Sequence, residues 1–353
     1  MDKKIKFSEY FNNWLYGENG YYSNYKLIGK EGDFYTAVSS SRFFGGAIGK
    51  RVVDVINEGF LPNNSTIIEI GAHHGYLLAD MVQFIYTLEP KLIETLEFAI
   101  VERYEHLQKQ QKEYFENSFG DAVKLKHYND ISEVKEENGF IVANEIFDAF
   151  ACELVYTNKN TLQYAVVENN EIEFIDNQDS NLAEHCKKHN ITKGEVAVGY
   201  EEFAKHMCKG IKNFEFVSFD YGEKYPRNDF SCRVYEKHNV YPIFQGRGKS
   251  IDINNQEIEN EDKLDFKKLF GTSDITYDVN FQHVIDSFTQ AGAKNIEYST
   301  QLKALVNFGI IELLDMLQKN VDESIYLKEV NKVKTILNPT GMGDRFKMVS
   351  FRK

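Results

Sequence analysis

The 353-residue sequence has no run of 18 apolar residues, so no segment is long and apolar enough to cross a bilayer as a helix. Its opening stretch, MDKKIKFSEYFNNWLYG, carries acids and no apolar h-region, and reads as neither a signal nor a transit peptide. The four cysteines (Cys152, Cys186, Cys208, Cys232) are widely spaced and form no C-x-x-C, which reads as reduced thiols in a cytoplasmic protein. There is no P-loop, no G-x-S-x-G elbow, no internal repeat and no low-complexity tract. Positive charge is in short supply. Lys and Arg number 41 against 54 Asp and Glu, a net charge of −13, which argues against general affinity for nucleic acid or an anionic membrane. That charge suits a cationic ligand or a basic peptide. Metal chemistry is not expected: His73 and His74 are adjacent, and His185, Cys186 and His189 sit at helical spacing in an isolated polar segment.

What the chain does have is IIEIGAHHGYLLAD, residues 67–80. Apolar Ile67, Ile68 and Ile70 with the acid Glu69 make a buried strand. Gly71 to Gly75 make a turn, and Leu77, Leu78 and Met81 open a helix. Strand, glycine turn and helix is how open α/β sheets receive nucleotide-like ligands at the carboxyl ends of their strands.

The surrounding pattern is βαβ. Helices are expected over Ser8–Leu15, Arg42–Phe60 and Gly75–Leu88, and strands over Thr66–Ile70, Leu96–Val101, Ala122–His127 and Gly139–Ala143. Leu154–Ile175 alternates like antiparallel strands, with turns at Asn158-Lys159-Asn160 and Asn169-Asn170. Residues 180–212 read as polar and helical, Glu215–Phe219 as a resumed sheet strand, and 235–265 as a mobile excursion over the site. Helical pattern returns over Val279–Ala291 and Leu302–Val333, and Phe346–Phe351 is a last strand. One α/β domain is therefore expected: a helical N-terminal cover (1–62), the first half of the sheet (63–150), an inserted α+β segment (151–212), and the rest of the sheet (213–353) with a flexible insertion at about 236–270.

Candidate chemistry lies at the strand ends. Glu69 and the turn after it face a ligand above the sheet, where glycine admits a close approach and a helix N-terminus favours an anionic group. Glu102 ends the second strand, where an acid accepts hydrogen bonds from a ribose. ANEIFDAF (143–150) carries Asn144, Glu145 and Asp148 past the fourth strand. These acids either converge on a cationic side chain and take its proton, or favour the dipole of a helix that starts there. Asp220-Tyr221-Gly222 repeats the arrangement at the next strand end. In Asp274-Ile275-Thr276-Tyr277-Asp278, Asp278 reads first as an N-cap of the following helix.

Taken together, several ordered segments resemble the MidA family of S-adenosylmethionine-dependent methyltransferases. They are FSEY with GYY, GDFYT before a helix holding Phe44-Gly45, EIG with its turn, Val101-Glu102, ANEIFDA, FDYGE, GTSDITYDVNF and GMGDRFK. The resemblance implies a Rossmann-like methyltransferase fold with S-adenosylmethionine over the carboxyl ends of strands one to four. It also implies a protein substrate offering an arginine, a respiratory complex I subunit or an analogue being the implied type of partner. By the same resemblance Glu69, Gly71, His73 and Gly75 lie along the donor's methionine part, Glu102 binds its ribose, and Tyr35 and Thr36 of GDFYT belong with the cofactor residues. Asn144, Glu145 and Asp148 lie near the transferring methyl. Asp220, Tyr221, Asp274, Thr276 and Asp278 belong with the substrate.

The chain departs from the family at identifiable places. The family loop is close to G-P-G-R-G, and here it is Gly71-Ala72-His73-His74-Gly75. A left-handed backbone at His73 would cost about 1–2 kcal/mol. The family's D-A-L-P is Asp148-Ala149-Phe150-Ala151, which removes a rigid corner, and Asn280 stands where Asp is frequent. These departures define a second reading, a catalytically degenerate binding or assembly protein on a methyltransferase scaffold. A nicotinamide-dependent oxidoreductase shares the strand–turn–acid logic but has no counterpart for the motifs after Ala143.

Overall fold

The computed structural model describes residues 4–23, 36–236, 239–244, 249–251, 257–259 and 265–353. The chain divides into two compact units. One holds residues 1–34, 148–199 and 223–280; the other holds 35–147, 200–222 and 281–353.

The second unit is built on a sheet whose strands are β1 (Thr66–Ile70), β2 (Glu97–Val101), β3 (Leu125–Tyr128), β4 (Glu136–Asn144), β5 (Ile211–Glu223), β6 (Lys294–Thr300) and β7 (Phe346–Arg352). They lie in the order β6-β7-β5-β4-β1-β2-β3. β5, β4, β1, β2 and β3 run parallel, and β7 enters antiparallel between β5 and β6. All five residues of β1 are buried, as a strand covered on both faces requires. The register sets Ile70 level with Val101 and Ala143, and Ala143 level with Ser218. β1 and β2 therefore end level with Ala143 of β4, Gly71, Glu102 and Asn144 each follow that line by one residue, and β5 continues past it. The Rossmann-like expectation holds.

Helices α1 (Arg42–Asn57), α2 (Tyr76–Leu88) and α3 (Glu105–Phe119) flank this sheet. α1 meets α2 almost backbone to backbone. A Cβ placed on Gly49 would lie 2.9 Å from the carbonyl oxygen of Met81, and one on Gly45 would lie 2.7 Å from Cβ of Asp80. Within β5, Glu215 is buried between two arginines. Its Oε1 accepts from Nε of Arg51 at 2.7 Å and its Oε2 from Nε of Arg352 at 2.7 Å, while Glu58 bridges both guanidinium groups at 2.9 Å.

The first unit carries the antiparallel strands expected after Ala149, at Cys152–Asn158, Thr161–Glu168 and Glu171–Asp176. Lys159-Asn160 and Asn169-Asn170 have positive φ, between 46° and 71°, as two-residue hairpin turns require. Cys152–Asn158 also pairs with Lys193–Ala197, and helix Phe7–Tyr16 packs within this unit through Trp14, whose Nε1 donates to the Ser273 carbonyl at 2.7 Å. The cysteines are four buried free thiols.

Several expectations are corrected. Residues 180–212 are not one helical stretch: a strand, Lys193–Ala197, separates helices Ser180–His189 and Tyr200–Gly210. β5 runs on through Asp220 and Tyr221 instead of stopping at Phe219. The pattern over Leu302–Val333 is three helices, Gln301–Asn307, Ile310–Gln318 and Glu323–Leu337, the first break falling at left-handed Gly309 (φ 83°). Over 235–265, the described residues include paired strands at Arg233–Glu236 with Asn239–Pro242, and at Lys249–Ile251 with Glu257–Glu259, while 237–238, 245–248, 252–256 and 260–264 lie outside the described residues.

Alanine is the better helix former by about 1 kcal/mol, yet at Gly49 its methyl would press on backbone that has no rotamer to yield. Gly49→Ala is expected to lower stability by about 1–3 kcal/mol, read from chemical denaturation, while the control Lys112→Ala on the exposed face of α3 stays within about 0.5 kcal/mol.

Candidate functional site

The loop between β1 and α2 has an alternating backbone. Gly71, His73 and Gly75 all have positive φ (70°, 49° and 79°), so His73 does adopt the left-handed conformation. Gln111 of α3 holds it there. Its Nε2 donates to the His73 carbonyl oxygen at 2.7 Å, and its Oε1 lies 2.9 Å from Nε2 of His127. The His73 ring packs 3.8 Å from that of His74, which leads on to Tyr76 and Tyr114. Burial, with a smaller push from His74, holds the His73 imidazole down at about 3, so the ring is neutral at physiological pH. Gln111 was not among the expected residues. The signal was present: it lies four residues from both Leu107 and Phe115, on the buried stripe of α3.

Glu69, 4% exposed, turns its side chain onto the next helix, where Oε2 accepts the Leu78 amide at 3.0 Å. Burial raises its carboxyl to about 8, opposed by the Leu78 hydrogen bond and reinforced by Asp80. Glu102 follows β2, buried, with Oε1 accepting the Tyr104 amide at 3.0 Å; burial raises its carboxyl too.

At the end of β4, Asn144 donates through Nδ2 to Oε1 of Glu145 at 2.9 Å. Glu145 has a left-handed backbone (φ 54°), and its amide donates to the Phe219 carbonyl at 2.8 Å. Asp220, fully buried in β5, accepts the amides of Phe147 and Tyr221, both at 2.9 Å. No long helix opens after Asn144. The chain makes only a short turn, Phe147–Ala149, so these acids do not serve a helix dipole.

The remaining expected residues belong to the first unit, apart from Tyr35, Thr36 and Tyr221. The Tyr221 ring lies 5.6 Å from that of Phe346. The Thr36 hydroxyl caps the short helix Ala37–Ser40, accepting from Ser39 N at 3.2 Å, and Tyr35 lies outside the described residues. Asp148 is buried and accepts the Thr276 hydroxyl at 2.8 Å, and Tyr16 Oη donates to the adjacent Ala149 carbonyl at 3.2 Å. Asp274 is buried in the strand Asp274–Thr276. Asp278 does not cap the next helix as expected. Its carboxylate pairs with Arg233 at 2.7 Å and Arg227 at 2.9 Å.

A parallel sheet with a glycine turn after β1 and an acid after β2 is the layout with which open α/β sheets receive nucleotide-like ligands. Residues 47–299 match the model of a family described as "putative S-adenosyl-L-methionine-dependent methyltransferase", and the chain belongs to that family. The chain is 22% identical over 365 residues to the protein arginine methyltransferase NDUFAF7, mitochondrial, of Danio rerio, covering 94% of this chain and 79% of that one. The Rattus norvegicus protein of the same name is 22% identical over 364 residues, covering 93% and 76%. Among solved structures, a Burkholderia thailandensis protein bound to S-adenosyl-homocysteine shares the fold with a TM-score of 0.80 at 22% identity, covering 99% of this chain and 88% of that one.

The residues present suit the family's donor, S-adenosylmethionine. Asn144 Oδ1 is a buried acceptor without a hydrogen-bond partner among the described residues, which matches a cationic ligand at the end of β4. The loop after β1 keeps glycine at both its ends.

The raised carboxyl of Glu69 yields a stability signature. Its folded value, about 8, lies above its ordinary 4.5, so the folded chain holds a proton there that the unfolded chain releases. That contribution to stability is therefore lost progressively as pH rises from about 4.5 through about 8. Glu69→Gln, which still offers Leu78 an acceptor, is expected to flatten this decline when unfolding is followed by denaturant between pH 5 and 8.5.

Proposed function

We propose that the chain transfers a methyl group from S-adenosylmethionine to an arginine side chain of a partner protein. The observation that carries this reading is the register that sets the glycine turn, Glu102 and Asn144-Glu145 along one line in the second unit. The names of the relatives supply the substrate class. When bound, the donor supplies an electrophilic methyl carbon on a cationic sulfur.

The chain's own residues then have position and proton transfer as their task. Gly71 to Gly75 offer backbone to the donor's methionine part, and Glu102 offers carboxylate oxygens to ribose hydroxyls. An arginine is protonated at ordinary pH, and its nitrogen becomes a nucleophile once its charge is drawn to the other nitrogens and a base accepts the proton. Glu145, oriented by Asn144, is assigned as that acceptor. With the donor bound, the Glu145 carboxylate would take the proton that the guanidinium nitrogen gives up as it accepts the methyl group.

Calorimetric titration with S-adenosylmethionine and S-adenosyl-homocysteine tests the donor half. Binding is expected in the natural chain, weakened about tenfold or more by Glu102→Ala. His73→Gly, which keeps the carbonyl that Gln111 holds and relieves a left-handed side chain, is expected to bind the donor at least as well. The scaffold reading is favoured by one observation, the histidine side chain at that left-handed position. It would prevail if the natural chain bound no donor and His73→Gly restored binding.

A further inference from the structure

The second unit brings one buried amide side chain to two places that the donor reading uses. Gln111 of α3 donates from Nε2 to the His73 carbonyl at 2.7 Å, and it hydrogen-bonds the Glu102 carboxylate. It also floors the turn at Gly75, where a Cβ would lie 3.7 Å from Cγ of Gln111 and 3.2 Å from Cε2 of Phe115. About one helical turn earlier, Gln108 Nε2 donates to the Glu102 carbonyl at 2.6 Å, and the Glu102 amide donates to the Tyr128 carbonyl at 2.9 Å. The acid after β2 is thus fixed by its backbone, and Gln111 ties its carboxylate to the turn after β1.

A primary amide carries two N–H donors and one acceptor oxygen. The His73 carbonyl and the Glu102 carboxylate are both acceptors, so the NH2 group is committed to them and Oε1 points away. There Oε1 meets Nε2 of His127 on β3 at 2.9 Å. An amide oxygen has no hydrogen to give, so His127 must carry its own at Nε2. Burial, helped by the charge of Lys112, holds the His127 imidazole below its ordinary value. The ring is therefore neutral at physiological pH with a single N–H, and Gln111 takes it. Without that donor, an unflipped amide leaves a buried oxygen unpaired. A flipped one sets its oxygen against a carbonyl and a carboxylate. Both outcomes loosen the hold on the turn and on Glu102.

We propose that Gln111 is a positioning residue for the methyl donor, tying the turn that takes its methionine part to the acid that takes its ribose, and that His127 acts through Gln111 by fixing which way the amide faces. This rests on the donor reading of the turn and Glu102, and not on the identity of the methyl acceptor.

The experiment is calorimetric titration of S-adenosyl-homocysteine into the full chain and its variants, each checked for folding by denaturant unfolding. His127→Leu is expected to bind about three- to tenfold more weakly than the natural chain. His127→Gln places a donating Nε2 where the imidazole has its own, and is expected to restore affinity to within about twofold. Added to Gln111→Leu, His127→Leu is expected to cost nothing further, because the side chain it acts through is gone. Without ligand, a nitrogen-15 histidine spectrum in mildly alkaline buffer is expected to show His127 as the Nε2–H tautomer. Natural affinity in His127→Leu, no rescue by His127→Gln, an additive loss in the double variant, or the Nδ1–H tautomer would each overturn the proposal. The rescue and the tautomer do not depend on Gln111→Leu folding. Absence of binding by the natural chain would overturn the donor reading and this inference together, whereas a binding natural chain with indifferent variants would overturn this inference alone.

Discussion

A single buried carboxylate decides how the carboxyl end of the sheet is finished. Asp220 lies inside β5, shielded from solvent, and its two oxygens accept the amides of Phe147 and Tyr221. Without it, the chain leaving β4 would have no reason to bend sharply after Asn144. With it, the backbone turns through left-handed Glu145, ties that amide to Phe219, and brings Asn144 and Glu145 side by side. Such a buried acid is tolerated because two amide donors meet it directly. The residues proposed for proton transfer thus inherit their position from a strand more than seventy residues later in sequence.

The loop after β1 follows the same logic at smaller scale. Three alternate residues take positive φ, and only the middle one has a side chain. A histidine is held there because its carbonyl is engaged by Gln111, which is in turn engaged with His127. Strain of about 1–2 kcal/mol is thereby set against hydrogen bonds of comparable worth.

Much of the fold was legible in local pattern. The buried strand at Thr66–Ile70 and the asparagine turns at residues 159–160 and 169–170 declare themselves within a few residues, because burial on both faces and left-handed backbone each demand particular side chains. Lys193–Ala197 and Lys294–Thr300 did not, being short and rich in polar residues, and formed through their neighbours rather than their own periodicity. Of the candidate site, the acids at the strand ends were visible as residues but not their partners. Nothing near Asp278 in sequence announces Arg233, 45 residues earlier, and a capping role was the natural local reading. Gln111 was hidden in a run of polar helix residues, betrayed only by its spacing from Leu107 and Phe115.

The place of β7 has a consequence for how the protein is made. β5 pairs with β7 along one edge, and β6 pairs with β7, yet about 120 residues separate the end of β5 from the start of β7. At synthesis rates of about 5–20 residues per second, β5 emerges from the ribosome roughly 6–24 seconds before its partner. During that interval an apolar strand carrying Phe214, Phe216 and Phe219 has a bare edge, the kind that recruits strands from other chains. The newborn chain is therefore most vulnerable to aggregation late in translation, and a chaperone that shields this edge would act on nearly finished chains rather than on early ones.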